Sequence, residues 1–202
     1  MAGWATICVL AAVHTRPAPP ALSSTVFSLA TVDAVSGERN MNIVTYAMPV
    51  SLPQSNVWAV SMFRGTVSAR AMIGRRRGML QILGERHADL VPLFGKSSRR
   101  DVDKLAAATQ MGHRFVHVSE ARQDLSSSVE VAQAEVVVAI LEDCVGYLDL
   151  AVEAIHPAGD HDLCLCTLLA YTPMAGAARG DAPLPTSFLR ENGLLPAAGQ
   201  LD

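Results

Sequence analysis

Charge is scarce in this chain, and what there is nearly cancels. Asp, Glu, Lys and Arg make up 17% of the 202 residues, and the formal net charge is −3. Without a basic excess nothing draws the protein to nucleic acid or to an anionic membrane surface, so neither is expected as a partner. No apolar run approaches the length of a membrane span. Half of the residues are nevertheless hydrophobic, which excludes a disordered or supercharged chain and is enough for one domain with a full core.

Cysteine is equally sparse. Cys8, Cys144, Cys164 and Cys166 form neither a CxxC pair nor a Cys/His zinc pattern, so no metal site is expected. That usage fits a reducing, cytoplasmic compartment. Cys164 and Cys166 lie two apart in LCLCTLLAY; on a strand they share a face and read as small core residues. Several motifs are missing altogether. There is no GxGxxG, no GxxxxGK[ST] and no GxSxG, which removes support for a Rossmann site, a P-loop or a nucleophile elbow. His87 and Asp89 show no metal-ligand spacing beyond chance, and no internal repeat is visible.

Acidic residues are absent before Asp33. Residues 1–24 form an N-terminal extension with two readings of equal standing. One is an acid-poor organelle transit peptide; the other is a first strand, ICVLAAV, followed by the proline-rich RPAPP connection. Residues 25–172 read as the domain. Residues 173–202, rich in Pro, Gly and Ala, read as a tail that wraps the surface or is partly mobile.

Within the domain, TVFSLATV is a β-rich run, and AVSGERN is a turn bent at Gly37. MNIVTYAMPV and NVWAVSM are further strands. TVSARAMIGRR is a helix capped at or near Thr66, and GMLQIL is a buried strand. ERHADLVPLFG is expected to be helical at its start and disturbed by Pro92; SSRRDVDKLAAATQ is a second helix beginning near Ser98. The last third, from AEVVVAILEDC to CTLLAY, is long and β-rich. Six or seven strands in two blocks with two or three helices predict a mostly antiparallel β-barrel decorated by helices, not a βαβ repeat.

Three local constellations carry candidate chemistry. NMNIVTYAMPVS keeps Asn40, Asn42, Thr45, Tyr46 and Ser51 beside an apolar wall, either as a flat ligand with polar edges would require or as the water-facing side of a sandwich strand. SMFRGTVSAR gathers Ser61, Arg64, Thr66, Ser68 and Arg70 where a helix begins, a seat for phosphate or an ordinary cap. AGDHDL places His161 between two β runs, as a proton donor or an exposed turn residue. GRRRG reads as a solvated turn.

In order along the chain, NIVTYAMPVS, VSMFRGT, a short apolar strand, LVPLFGKSSRRDVDK and GDH resemble the flavin reductase-like, FMN-binding split β-barrel family, over roughly Val26 to Tyr171. The resemblance implies a split antiparallel barrel that holds FMN, with FAD as the alternative, and uses NAD(P)H as co-substrate. Asn42, Thr45, Tyr46, Ala47 and Ser51 would border the flavin ring. Ser61, Arg64, Thr66 and Ser68 would hold the phosphate. Lys96, Ser97 and Arg100 would close over the ligand, and His161 would face the nicotinamide. It implies hydride transfer from NAD(P)H to flavin, a homodimer, and a partner oxygenase or other acceptor. The chain departs from the family pattern at LPQSN, where Pro-Pro is usual, and at GMLQIL, which lacks an opening aromatic and carries Gln81 in place of asparagine. Two other readings accompany it. One is an FMN-holding electron carrier or sensor without NAD(P)H turnover. The other is a pyridoxamine-phosphate-oxidase-like enzyme, for which GRRRG would supply a second phosphate site.

Overall fold

The computed structural model describes residues 22–120 and 136–195. Cys8 and the N-terminal strand or targeting reading fall outside them. Seven strands form one sheet in the order β2-β1-β5-β8-β9-β4-β3, with every neighbouring pair antiparallel. They are β1 (Phe27–Val32), β2 (Arg39–Val44), β3 (Ala47–Pro49), β4 (Val57–Phe63), β5 (Arg77–Ile82), β8 (Gly146–Ala158) and β9 (His161–Pro173). β6 (Phe115–Ser119) and β7 (Val137–Leu141) pair separately.

The expected MNIVTYAMPV strand is two strands. Only Thr45 and Tyr46 separate the end of β2 from the start of β3, yet these lie at opposite edges of the sheet. The chain therefore steps from one edge to the other, the sheet curls, and Ser61 N donates to Tyr46 O at 2.8 Å beside the step. This is the split of the barrel.

β1 is buried at every position, because both of its faces are covered. Phe27 and Leu29 face one core with Val44, Val60, Met62, Met72, Leu80, Leu150, Cys164 and Cys166. Ala30 and Val32 face another with Met41, Met79, Phe94, Ile140 and Leu141. The period of two in β1 assigns each residue to its core. Cys164 and Cys166 share a face as expected, and burial pushes their thiols up to about 11 and about 12. Both are packing residues without redox chemistry.

Helix α1 (Val67–Arg75) is capped as expected: Thr66 Oγ1 accepts from Ala69 N at 3.1 Å. The next two helices correct the sequence reading. Glu85–His87 is only a 3₁₀ turn, and α2 (Leu90–Lys96) begins after it with Pro92 inside. Pro92 occupies the first turn, where an N–H has no intrahelical acceptor, so the ring costs no bond. Helix α3 (Lys104–Gln110) is capped by Asp103, whose carboxylate accepts from Ala106 N at 3.2 Å; Ser98 instead closes a turn before it.

The described residues hold nine strands and five short α-helices, more than the six or seven and two or three expected. Two of the helices lie in the segment read as a surface tail: α4 (Ala175–Ala178) and α5 (Thr186–Glu191). Part of that segment reaches the core. Leu184 and Leu189 are fully buried, and bridges join Pro185 to Thr25 and Pro183 to Gly84. Gly176 N donates to Cys144 O, and a Cβ on Gly176 would sit 2.6 Å from that oxygen, so only glycine admits the approach.

Candidate functional site

The residues singled out by sequence fall into two groups joined by the turn from Phe63 to Ser68. The first group surrounds His161. β4 and β9 pair Phe63 with His161, and the step between β2 and β3 brings Tyr46 to the same place. The His161 ring meets Tyr46 edge-on at 5.7 Å between centroids and Phe63 at 5.5 Å. Tyr46 is 66% and Phe63 54% exposed, so the trio forms an aromatic shelf open to solvent. Sequence reading missed Phe63. The β-period places it two residues beyond Ser61, but nothing local marks it as functional.

His161 sits just after the two-residue turn Gly159–Asp160, where Gly159 has φ +62°. Asp160 Oδ1 lies 2.6 Å from His161 Nδ1, and this bond holds the Asp160 carboxyl below the usual carboxylate range. A carboxylate can only accept, so Nδ1 carries the proton, and Nε2 has no hydrogen-bond partner among the described residues.

Arg64 is engaged within the chain. Its Nε donates to Asp162 Oδ1 at 2.8 Å, its Nη1 to Gly159 O at 2.9 Å, and its backbone N to Asp160 O at 3.1 Å. The guanidinium braces the turn that presents His161. Thr66 is also committed, accepting from Ala69 N and donating to Phe63 O at 3.1 Å. Ser51 Oγ accepts from Val57 N at 2.9 Å, fixing the loop between β3 and β4. Ser61 and Ala47 are half-buried in β4 and β3; Asn42 and Thr45 are half-buried in and just after β2.

The second group lines a groove of about 170 Å³ between the start of β2, the exposed side of α1 and the segment after α2. Asn40, Val67, Arg70, Arg99 and Arg100 line it, with Asp33 and Glu38 at the β1–β2 turn. Asn40 is 5% exposed and donates from Nδ2 to Ser68 Oγ at 2.7 Å. Its Oδ1 is buried with no hydrogen-bond partner among the described residues. Of the predicted lid, Arg100 reaches this groove; Lys96 ends α2 exposed, and Ser97 follows it half-buried. Sequence reading placed Arg70 in the helix-start cluster and missed Asn40 and Arg99 as partners of Arg100, because long-range packing alone brings them together.

Lys104 ties β2 to α2 beside this groove. It is 2% exposed, and its Nζ donates to Met41 O of β2 at 3.0 Å and to Phe94 O of α2 at 2.8 Å. Burial pushes its pKa down to about 8. GRRRG, by contrast, is not a solvated turn. Arg75 pairs with Glu120 at 2.8 Å, Arg77 grips both oxygens of Asp149 at 2.7 and 2.8 Å, and Arg76 donates to Glu153 O. A larger groove of about 570 Å³, between α3 and the β6–β7 pair, contains none of the predicted site residues. Among the described residues no helix is long and apolar enough to cross a membrane.

Comparison with known proteins bears on this arrangement. A family profile described as "Flavin reductase like domain" matches residues 20–184. No curated protein matches the chain. The fold is similar to that of an FMN-binding protein from Thermus thermophilus (19% identity, TM-score 0.56, 87% of this chain and 83% of that one). It is also similar to an NADH:FAD oxidoreductase from Streptomyces globisporus (13% identity, TM-score 0.58, 81% of each chain). In a Sinorhizobium meliloti protein of the same fold (17% identity, TM-score 0.58) the match covers 81% of this chain but only 46% of the other.

Proposed function

Because this chain belongs to the flavin reductase-like domain family, we propose that it is an FMN-binding oxidoreductase that passes hydride from NAD(P)H to bound flavin, with FAD as the alternative flavin. The observation that carries the reading is the exposed shelf of Tyr46, Phe63 and His161. Exposed aromatic side chains that are not covered by the fold suit a flat heterocycle, which stacks or packs edge-on against them. Bound flavin would supply the redox chemistry; the protein supplies binding and orientation.

The chain's own contribution can be assigned residue by residue. Asn42, Thr45, Tyr46 and Ala47 border the ring at the step between the two sheet edges. Asp160 fixes the tautomer of His161, and Arg64 fixes the turn, so that Nε2 is presented to the nicotinamide at a set position. Arg64 therefore serves orientation here in place of the phosphate contact expected from its position in the sequence.

A second copy of the chain is the partner proposed for the edge at β3, where Tyr46, Met48, Val50 and Leu52 are all exposed. An unpaired edge with an apolar row invites pairing with another strand. A partner oxygenase remains the proposed acceptor of reduced flavin. The pyridoxamine-phosphate-oxidase-like alternative loses its second phosphate site, since all three arginines of GRRRG are bonded within the chain.

The test is a visible spectrum of purified protein with FMN, followed by NADH and NADPH without oxygen. Rapid bleaching by either nucleotide is expected. Flavin that binds but bleaches only with dithionite would replace the reductase with an electron carrier. Failure to bind FMN or FAD would remove both.

A further inference from the structure

We propose that the groove of about 570 Å³ between α3 and the β6–β7 pair binds a small organic monocarboxylate with a compact apolar body. The proposal stands apart from the flavin-oxidoreductase reading, because this groove shares no lining residue with the aromatic shelf or with the smaller groove.

Strand pairing builds one wall and a helix the other. β6 and β7 are antiparallel, with Phe115 opposite Leu141 and His117 opposite Ala139, so Phe115, His117 and Ala139 share a face of the pair. On α3, Ala106 and Thr109 lie three residues apart and face the groove together, with Leu105 beside them. Ala139 on one wall and Ala106 on the other end at their Cβ atoms, which leaves a hollow where longer side chains would meet. The lining is mostly apolar, with an aromatic ring and a few polar groups, and its volume falls in the ordinary range of small-molecule sites.

Charge decides the class of ligand. Two guanidiniums, Arg39 and Arg114, and one carboxylate, Glu142, line the groove. Glu142 is matched, since its Oε2 accepts from Arg114 Nε at 2.9 Å. Asp89, outside the lining, is matched by His113 Nε2 at 3.0 Å. Arg39 is the cation left over. Its Nε donates to Val137 O at 3.1 Å, which holds the guanidinium at the start of β7, and its two Nη groups have no hydrogen bond or ion pair among the described residues. Glu38, its neighbour in the chain, lines the smaller groove and lies 4.0 Å from Arg99. His117 is exposed and likewise has no hydrogen-bond partner among the described residues. One unmatched guanidinium beside an apolar hollow suits one negative charge on an apolar body. The carboxylate accepts from the Arg39 Nη groups and from the imidazole N–H of His117, and the body packs on Leu105, Phe115 and the two alanines. A dianion would bring a second charge with no cation to meet it, and an uncharged ring would leave Arg39 to water.

The experiment titrates the full chain with sodium benzoate and with benzamide, its uncharged match, at constant ionic strength. Proton NMR follows the imidazole C–H resonances, assigned with single His→Gln variants. Benzoate is expected to shift His117 saturably and to leave His161, on the aromatic shelf, unmoved. It should bind about fivefold more tightly than benzamide, the worth of one ion pair at a solvated rim. Arg39→Gln should bring benzoate down to the affinity of benzamide and, the residue being exposed, keep its circular dichroism. Ala106→Trp, at an exposed position of α3, should exclude both compounds. A His117 resonance that benzoate does not move overturns the site, and so does a shift confined to His161, which would put the carboxylate on the shelf. A preference for benzoate that survives in folded Arg39→Gln overturns it as well. Should Arg39→Gln fail to fold, Ala106→Trp decides: loss of both compounds upholds the groove, and unchanged binding of either overturns it.

Discussion

Replacing Lys104 with methionine should change how stability responds to pH, with a sign and size set by its burial. The ammonium is 2% exposed and its bonds run to two backbone carbonyls, with no carboxylate partner among the described residues. Burial lowers its pKa from 10.5 to about 8. The folded state therefore gives up this proton more readily than the unfolded chain does. Between about pH 8 and about pH 10.5 the unfolded chain binds more protons, so the share of stability owed to Lys104 rises with pH. The interval from 10.5 to about 8, at about 1.4 kcal/mol per pH unit, gives about 3 kcal/mol across the window. Total stability will not show this plainly. Burial raises Cys144, Cys164 and Cys166 to about 12, about 11 and about 12, so they stay protonated in the fold while unfolded thiols ionise, and stability falls above pH 9. That loss is common to wild type and Lys104→Met. Urea unfolding of both from about pH 7 to about pH 10.5 should show their difference shifting in favour of wild type by about 3 kcal/mol. Parallel curves would mean that Lys104 titrates as a solvated lysine, and would refute its place between β2 and α2.

Three further outcomes are expected. Leu189→Ala should cost about 2–5 kcal/mol in chemical denaturation, because the residue is fully buried; a cost near zero would return the C-terminal segment to the surface. His161→Ala should slow NAD(P)H oxidation in stopped-flow absorbance while flavin affinity holds, since the ring edges the exposed shelf; loss of flavin with normal residual turnover would make it a flavin ligand. Arg64→Ala should cost under about 1 kcal/mol, as expected of a solvent-exposed pair, and slow the same step through a loosened Gly159–Asp160 turn. A fall in flavin affinity with turnover per bound flavin intact would restore Arg64 to the phosphate.

Much of the sheet was legible in the sequence because strands declare themselves locally. FSLATV, VWAVSMF and LCLCTLLAY carry the β-branched and apolar runs that a buried strand needs, and Gly37 and Gly159 mark their turns with positive φ. Thr66 was legible as a cap for the same reason: a cap is a contact three residues long. What failed was decided at long range. Pro92 marks a breaker in isolation, yet sits where a first turn tolerates it. Pro, Gly and Ala between residues 173 and 195 suggest a loose tail, but Leu184 and Leu189 fill a core whose other members are far away in sequence. The candidate site divides similarly. His161 and Tyr46 were found; Phe63 and Arg99 were not, and Asn40 was noted without its arginine neighbours, since their company exists only in the folded chain.

The place of the β8–β9 hairpin in the sheet has a consequence for how the chain folds. Its two 13-residue strands join through a two-residue turn, so it is the most local pairing in the molecule and closes with little loop entropy. It is also the middle of the sheet: β8 bonds to β5, and β9 bonds to β4. The strand ladder joins the two halves of the sheet, β2-β1-β5 on one side and β4-β3 on the other, only through it. The sheet is thus complete only once this late, locally closing hairpin has paired with one edge on each side.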